Sequence, residues 1–141
     1  MRELGTIIKE SGFEPDGFTL IEYQYFPEAF GDIQQKWRLD KLVLEYGTDR
    51  SLPYLVWIPD KGVPIPLDLV FDFLGLPISK NYQKQASSAV KYQDKIFALV
   101  IAGKRTIPFD AYLEKQSLLR SKVLAQTFKF ESNPRRKIVS A

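Results

Sequence analysis

Asp68 and Asp72 lie four residues apart in an apolar-periodic stretch, a spacing that places both carboxylates on one face of a helix. Paired carboxylates can bind a hard cation or exchange protons with a substrate. A cation site needs more oxygen ligands than two, and no loop in the chain supplies them, so the pair reads as a solvated helix face. Beyond this pair the chain is poor in chemistry. It has no cysteine and no histidine in 141 residues. Ser-His-Asp, Cys-His and thiol redox chemistries are thereby excluded, along with the imidazole and thiolate ligands of transition metals. The eight glycines form neither GxGxxG nor GxxxxGK[ST], so no phosphate-binding loop is present. The expectation is a protein without catalytic residues, metal or cofactor.

Two other sets of residues point to binding. The first is basic. Residues 104–141 hold nine Lys/Arg against three Asp/Glu, whereas residues 1–103 hold eleven against fourteen. Lys129, Arg135, Arg136 and Lys137 concentrate this excess near the end of the chain. Such a segment can attract nucleic acid by releasing counterions, although short charged tails are more often merely solvated. The second set is aromatic. Tyr23, Tyr25, Lys36, Arg38, Arg50 and Trp57 include the residue types enriched at binding hot spots.

The elements that position these residues follow from periodicity. Leu4, Ile7 and Ile8 suit a short helix over Arg2–Ser11, closed by Gly12. Phe18–Phe26 is rich in aromatic and β-branched residues, as strands are. Ile33, Gln35, Trp37 and Leu39 alternate with polar neighbours, the pattern of a half-buried strand. Asp40-Lys41 makes a tight turn, Leu42–Tyr46 continues, and residues 47–51 form a second turn in which Asp49 is placed to cap. Pro53–Ile58 reads as a fourth strand, since Tyr54–Ile58 is apolar throughout. Connections this short imply an antiparallel meander.

After Pro59 the period becomes helical. Leu67, Val70, Phe71 and Leu74 share a helix face, with Gly75 and Pro77 as the stop. The set Ala86, Ala89, Val90, Ile96, Phe97 and Val100 fits a longer helix over 82–102, although Ile96–Ile101 by itself suits a strand equally well. A last helix runs from about Pro108 to about Gln126. The expectation is therefore α+β: a four-stranded antiparallel meander, an N-terminal helix, and three C-terminal helices packed on one face. Residues 1–128 would form a single domain and residues 129–141 a basic tail.

Strand alternation assigns Ile33, Trp37, Leu42, Leu44 and Val56 to the face that meets the helices. The opposite phase holds Ile21, Tyr23, Tyr25, Lys36, Arg38, Glu45, Leu55 and Trp57. That face is too aromatic for a solvated one. It forms either a second small core with the N-terminal helix and the Pro59–Pro66 loop, or a partner surface. The partner would be another protein or a second copy of the chain.

Phe30-Gly31-Asp32, the alternating strand after it, Leu42–Tyr46, and then Thr48-Asp49-Arg50 together resemble a run found in small uncharacterised bacterial α+β proteins of the immunity-protein type. The resemblance covers about residues 20–125 in layout. It implies an inhibitor that binds a protein and carries no catalytic residues. The chain's net charge of +3 departs from the acidic character of nuclease-toxin inhibitors. Met1–Gly5 lacks the apolar run of a secretory signal, and Ile96–Ala102 is too short to span a membrane, so a cytoplasmic protein is expected.

Overall fold

The computed structural model describes residues 12–131, with side chains from 12 to 120. The helix expected over Arg2–Ser11 lies outside those residues, as do residues 132–141. The chain divides into two compact units, Met1–Thr106 and Ile107–Ala141.

The first unit is built on an antiparallel sheet of five strands, β1 (Thr19–Phe26), β2 (Asp32–Leu39), β3 (Leu42–Asp49), β4 (Leu52–Trp57) and β5 (Ile65–Pro66). They lie side by side in chain order. The expected meander of four is thus extended by a short fifth strand drawn from the Pro59–Pro66 segment, where Ile65 pairs with Trp57. Two-residue turns fix the register. Leu39 faces Leu42 across Asp40-Lys41, and Asp49 faces Leu52 across Arg50-Ser51. Arg50 and Ser51 both have positive φ, 52° and 68°, as a tight hairpin turn with native strand twist demands. Gly47 therefore belongs to β3 and not to the turn expected over 47–51.

Alternation from this register defines two faces. One carries Ile33, Gln35, Trp37 and Leu39 of β2, Leu42, Leu44 and Tyr46 of β3, and Leu55 and Trp57 of β4. It forms the core together with Phe13, Leu67, Val70, Phe71, Ala86, Ala89 and Ile96. Phe13 stacks on Tyr46 at 4.5 Å and meets Trp37 edge-on at 5.9 Å. Tyr82 meets Tyr46 edge-on and donates its hydroxyl to the Pro53 carbonyl at 3.2 Å. Burial raises the Tyr46 phenol above its ordinary value, aided by Tyr82. Each such ring pair contributes about 0.5–1.5 kcal/mol beyond the area it buries. Inside this layer Gln35 accepts from the Trp37 indole at 3.0 Å, while its own amide nitrogen is buried without a partner.

Helix α1 (Leu67–Leu74) follows β5 and buries Leu67, Val70 and Phe71, as its spacing predicts. It stops where expected: Gly75 adopts φ 72°, and the Gly75 and Leu76 amides close on Asp72 and Phe71. The helix expected over 82–102 is instead three elements. α2 (Tyr82–Lys91) starts at an Asn81 cap that accepts from Lys84 N. α3 (Gln93–Phe97) follows after Tyr92, and a hairpin of β6 (Val100–Ile101) and β7 (Lys104–Arg105) ends the unit. Ala102 and Gly103 turn that hairpin with φ 52° and 81°, which no helix accommodates. Both halves of the ambiguous run Ile96–Ile101 are thereby realised, helix first and strand second.

The second unit carries α4 (Ile107–Glu131). Pro108 sits in its first turn, where an N–H needs no helical partner, and Asp110 complements the positive end of the helix dipole. The helix continues past the expected Gln126 because Thr127–Glu131 contain neither glycine nor proline.

Candidate functional site

The second face of the sheet can be read as cross-strand rows. Nearest the β2–β3 turn, Arg38 pairs with Thr19 and Val43. Next come Glu22, Lys36, Glu45 and Val56, and then Gln24, Gln34, Gly47 and Tyr54. At the far end Phe26 pairs with Asp32, and Asp49 with Leu52. The middle rows form a polar ladder. Lys36 bridges to Glu22 at 3.1 Å. Glu45, only 9% exposed, accepts from Gln34 at 2.9 Å and from the Tyr54 hydroxyl at 2.8 Å. Burial foremost, then the hydrogen bond and charge of Glu45, push the Tyr54 phenol well above its ordinary value.

Gly47 makes this ladder possible. A Cβ there would stand 2.5 Å from the Ile33 carbonyl oxygen and 2.6 Å from the Tyr54 hydroxyl. The tyrosine ring fills the space that the missing side chain leaves, so Gly47 is required by close approach and not by its dihedral angles.

At the far end a second polar device ties two turns together. One Asp32 carboxylate oxygen accepts from Ser51 N at 2.9 Å and from the Thr48 hydroxyl at 3.0 Å, and the other accepts from Arg50 N at 2.8 Å. Thr48 in turn accepts from Ile33 N at 3.1 Å. The Ser51 amide foremost, with the Arg50 amide and the Thr48 hydroxyl, holds the Asp32 carboxyl below its ordinary value against the opposing effect of burial. Asp32 thus caps the β3–β4 turn, the role that the sequence suggested for Asp49, which is exposed.

Around this latch the surface is largely apolar. Phe26, Ala29, Leu52, Pro53 and Tyr54, together with Asp32, Thr48 and the exposed Asp49, line a depression of about 590 Å³. Leu52 is 71% exposed and Phe26 is 42% exposed. In the β1–β2 turn Phe30 is 75% exposed and has φ 59°. A bulky side chain in the left-handed region costs roughly 1–2 kcal/mol, and this one gains almost no burial in return.

The residues expected to form one partner surface are divided by the register. Tyr23 and Tyr25 pair with Gln35 and Ile33, and Trp57 pairs with Leu44, so all three lie in phase with the core face. Trp57 is 2% exposed. Lys36 and Arg38 lie on the opposite face, and Arg50 sits exposed at the β3–β4 turn. Leu55 also belongs to the core face, whereas Val56, expected in the core, pairs with Glu45 on the second face. The two-residue turn before β4 sets the phase of Leu55 and Trp57, the connection from Phe26 to Asp32 sets that of Tyr23 and Tyr25, and an irregularity in β1 between Leu20 and Glu22 leaves Ile21 out of step. Lys129 falls in α4 beyond the described side chains, and Arg135, Arg136 and Lys137 fall outside the described residues.

Asp68 and Asp72 are both exposed on α1, and Asp68 accepts from Leu69 N at 2.8 Å. Among the described residues no three carboxylates gather as metal ligands, and no helix is long and apolar enough to cross a membrane. Comparison with protein-family models, curated proteins and solved structures finds no match to the chain.

Proposed function

We propose that the chain is a non-catalytic protein-binding module, an inhibitor of the immunity type or a small adaptor, and that the turn end of its sheet is the binding surface. Phe30 carries the reading. It is a large apolar side chain held in solvent by a backbone conformation that glycine or asparagine adopts more cheaply. Folding gives no reason for phenylalanine at this position, whereas docking into a partner does. Phe26 and Leu52 are exposed apolar residues at the same end of the sheet, and Arg50, exposed in the two-residue turn beside Leu52, is the charged anchor. The Asp32 latch supports the reading, because it fixes the β3–β4 turn before any partner arrives and so lowers the ordering cost of association. The fitting partner presents an apolar side chain to the depression and a carboxylate to Arg50.

Co-purification of the tagged full chain from its native cells tests this. A stoichiometric protein should be retained by the wild type and lost by both Phe30→Asn and Arg50→Asn, substitutions that suit the left-handed turn positions. Retention of that protein by both variants would overturn the assignment. Recovery of nucleic acid that is lost on deleting residues 129–141 would replace protein binding with the basic-segment reading.

A further inference from the structure

Strand β1 forms one edge of the sheet among the described residues, with β2 as its neighbour. In an antiparallel pair alternate residues turn their backbone N–H and C=O groups away from the partner strand, so a strand with one neighbour offers half of these groups for further pairing. Proteins usually blunt such an edge with lysine, proline, short length or a bulge. β1 has eight residues, Thr-Leu-Ile-Glu-Tyr-Gln-Tyr-Phe, with no lysine, no proline and a single charge. That charge, Glu22, is already bound to Lys36 on the adjacent strand. Ile21, Tyr25 and Phe26 on this one strand are all more than two-fifths exposed. The irregularity between Leu20 and Glu22 does interrupt the edge, and it leaves Glu22–Phe26 as a regular five-residue segment.

We propose that this segment pairs antiparallel with its own counterpart in a second copy, about a two-fold axis at Gln24, joining the two sheets into one. The register is set by elimination. An axis at Glu22 opposes the two glutamates, and like charges directly opposite are destabilising. An axis at Tyr23 drives the out-of-step Ile21 into the new ladder. An axis at Gln24 uses all five regular residues. It sets Gln24 against its copy, where two side-chain amides can exchange hydrogen bonds. It sets each Tyr23 against the other copy's Tyr25, a favourable aromatic pair, and each Glu22 against Phe26, away from its like charge. A foreign strand finds almost no charge on this edge by which to be selected, whereas the segment complements itself. Such an interface is isologous and closed, so it ends at two copies and does not grow into fibres. This inference does not rest on the Phe30 reading, although Phe26 borders both surfaces.

The absence of cysteine from the chain makes the register directly readable. Gln24→Cys places the only thiol on the two-fold axis, within disulfide reach of its copy. Mild oxidation should convert it to a covalent dimer on a non-reducing gel. Glu22→Cys alone and Phe26→Cys alone should remain monomeric, and their mixture should cross-link. Light scattering on the full chain should give twice 16.3 kDa, and Gln24→Lys, which opposes two cations at an exposed position, should halve that mass while leaving circular dichroism unchanged. A monomeric wild type at the cross-linking concentration, or equal cross-linking by Gln24→Cys and Glu22→Cys alone, would overturn the proposal.

Discussion

Gly47→Ala probes the second-face ladder most sharply. The added methyl group would stand 2.5 Å from the Ile33 carbonyl oxygen, 2.6 Å from the Tyr54 hydroxyl and 2.8 Å from the ring carbon that bears it. The ring can swing aside, but then it releases Glu45, and a hydrogen bond to a charged group contributes about 1.5–3 kcal/mol. The Ile33 carbonyl is backbone of the neighbouring strand and yields only if β2 and β3 move apart, a strain of about 1–3 kcal/mol. Against this, alanine restricts the unfolded chain and returns about 0.4–1 kcal/mol. The net expectation is a destabilisation of roughly 3 kcal/mol. Tyr54→Phe alone should cost about 1.5–3 kcal/mol, the hydroxyl's share. The double variant should cost less than the sum, because the Glu45 hydrogen bond is lost once. Urea unfolding followed by the fluorescence of Trp37 and Trp57, both buried in the fold, measures all three. A Gly47→Ala protein as stable as the wild type, or strict additivity with Tyr54→Phe, would refute the reasoning.

Phe30→Asn should leave the unfolding midpoint unchanged or raise it, since asparagine tolerates φ 59° better than phenylalanine and little burial is lost; a midpoint lowered by more than about 1 kcal/mol in stability would mean that the ring supports the fold. The Asp32 carboxyl is held below its ordinary value of 3.8, so its stabilising contribution is complete above that pH and disappears as pH falls through the depressed folded value. Asp32→Asn should be less stable at neutral pH and show a shallower acid transition, and identical acid profiles for the two proteins would contradict the latch. The Tyr54 phenol is raised above its ordinary value of 10.0, so its contribution is intact below pH 10 and is lost as pH climbs through the raised folded value. Phenolate absorbance should therefore show tyrosines ionising late, Tyr46 and Tyr54 among them, together with alkaline unfolding, and Tyr54→Phe should reduce that late component by one tyrosine.

The α+β class and the run of β2, β3 and α1 were legible because their periodicities are unambiguous. Ile33-Gln35-Trp37-Leu39 alternates cleanly, and Gly75-Leu76-Pro77 is a strong helix stop. The face of β4 was not legible, because Tyr54–Ile58 is apolar at every position and carries no alternation, so the two-residue turn ahead of it decides the phase. Gly47 suggested a turn because glycine usually marks one. Its reason for being in the strand is the Tyr54 ring folded over it, a cross-strand contact with no local signature. Asp32 was visible only as part of the Phe30-Gly31-Asp32 run. Its bonds to Arg50 and Ser51 join residues eighteen and nineteen positions apart, and only the register reveals them. Ala102-Gly103 was visible as a stop, but the hairpin it turns needed the positive φ of alanine, which sequence does not announce.

The turn-end surface is tested most directly by amide hydrogen exchange on the full chain, with and without the protein that co-purifies with it. Added protection should appear in two segments, residues 26–32 and 49–53, and should vanish with Phe30→Asn. Protection confined to other parts of the chain, or the same protection in the Phe30→Asn protein, would contradict the account.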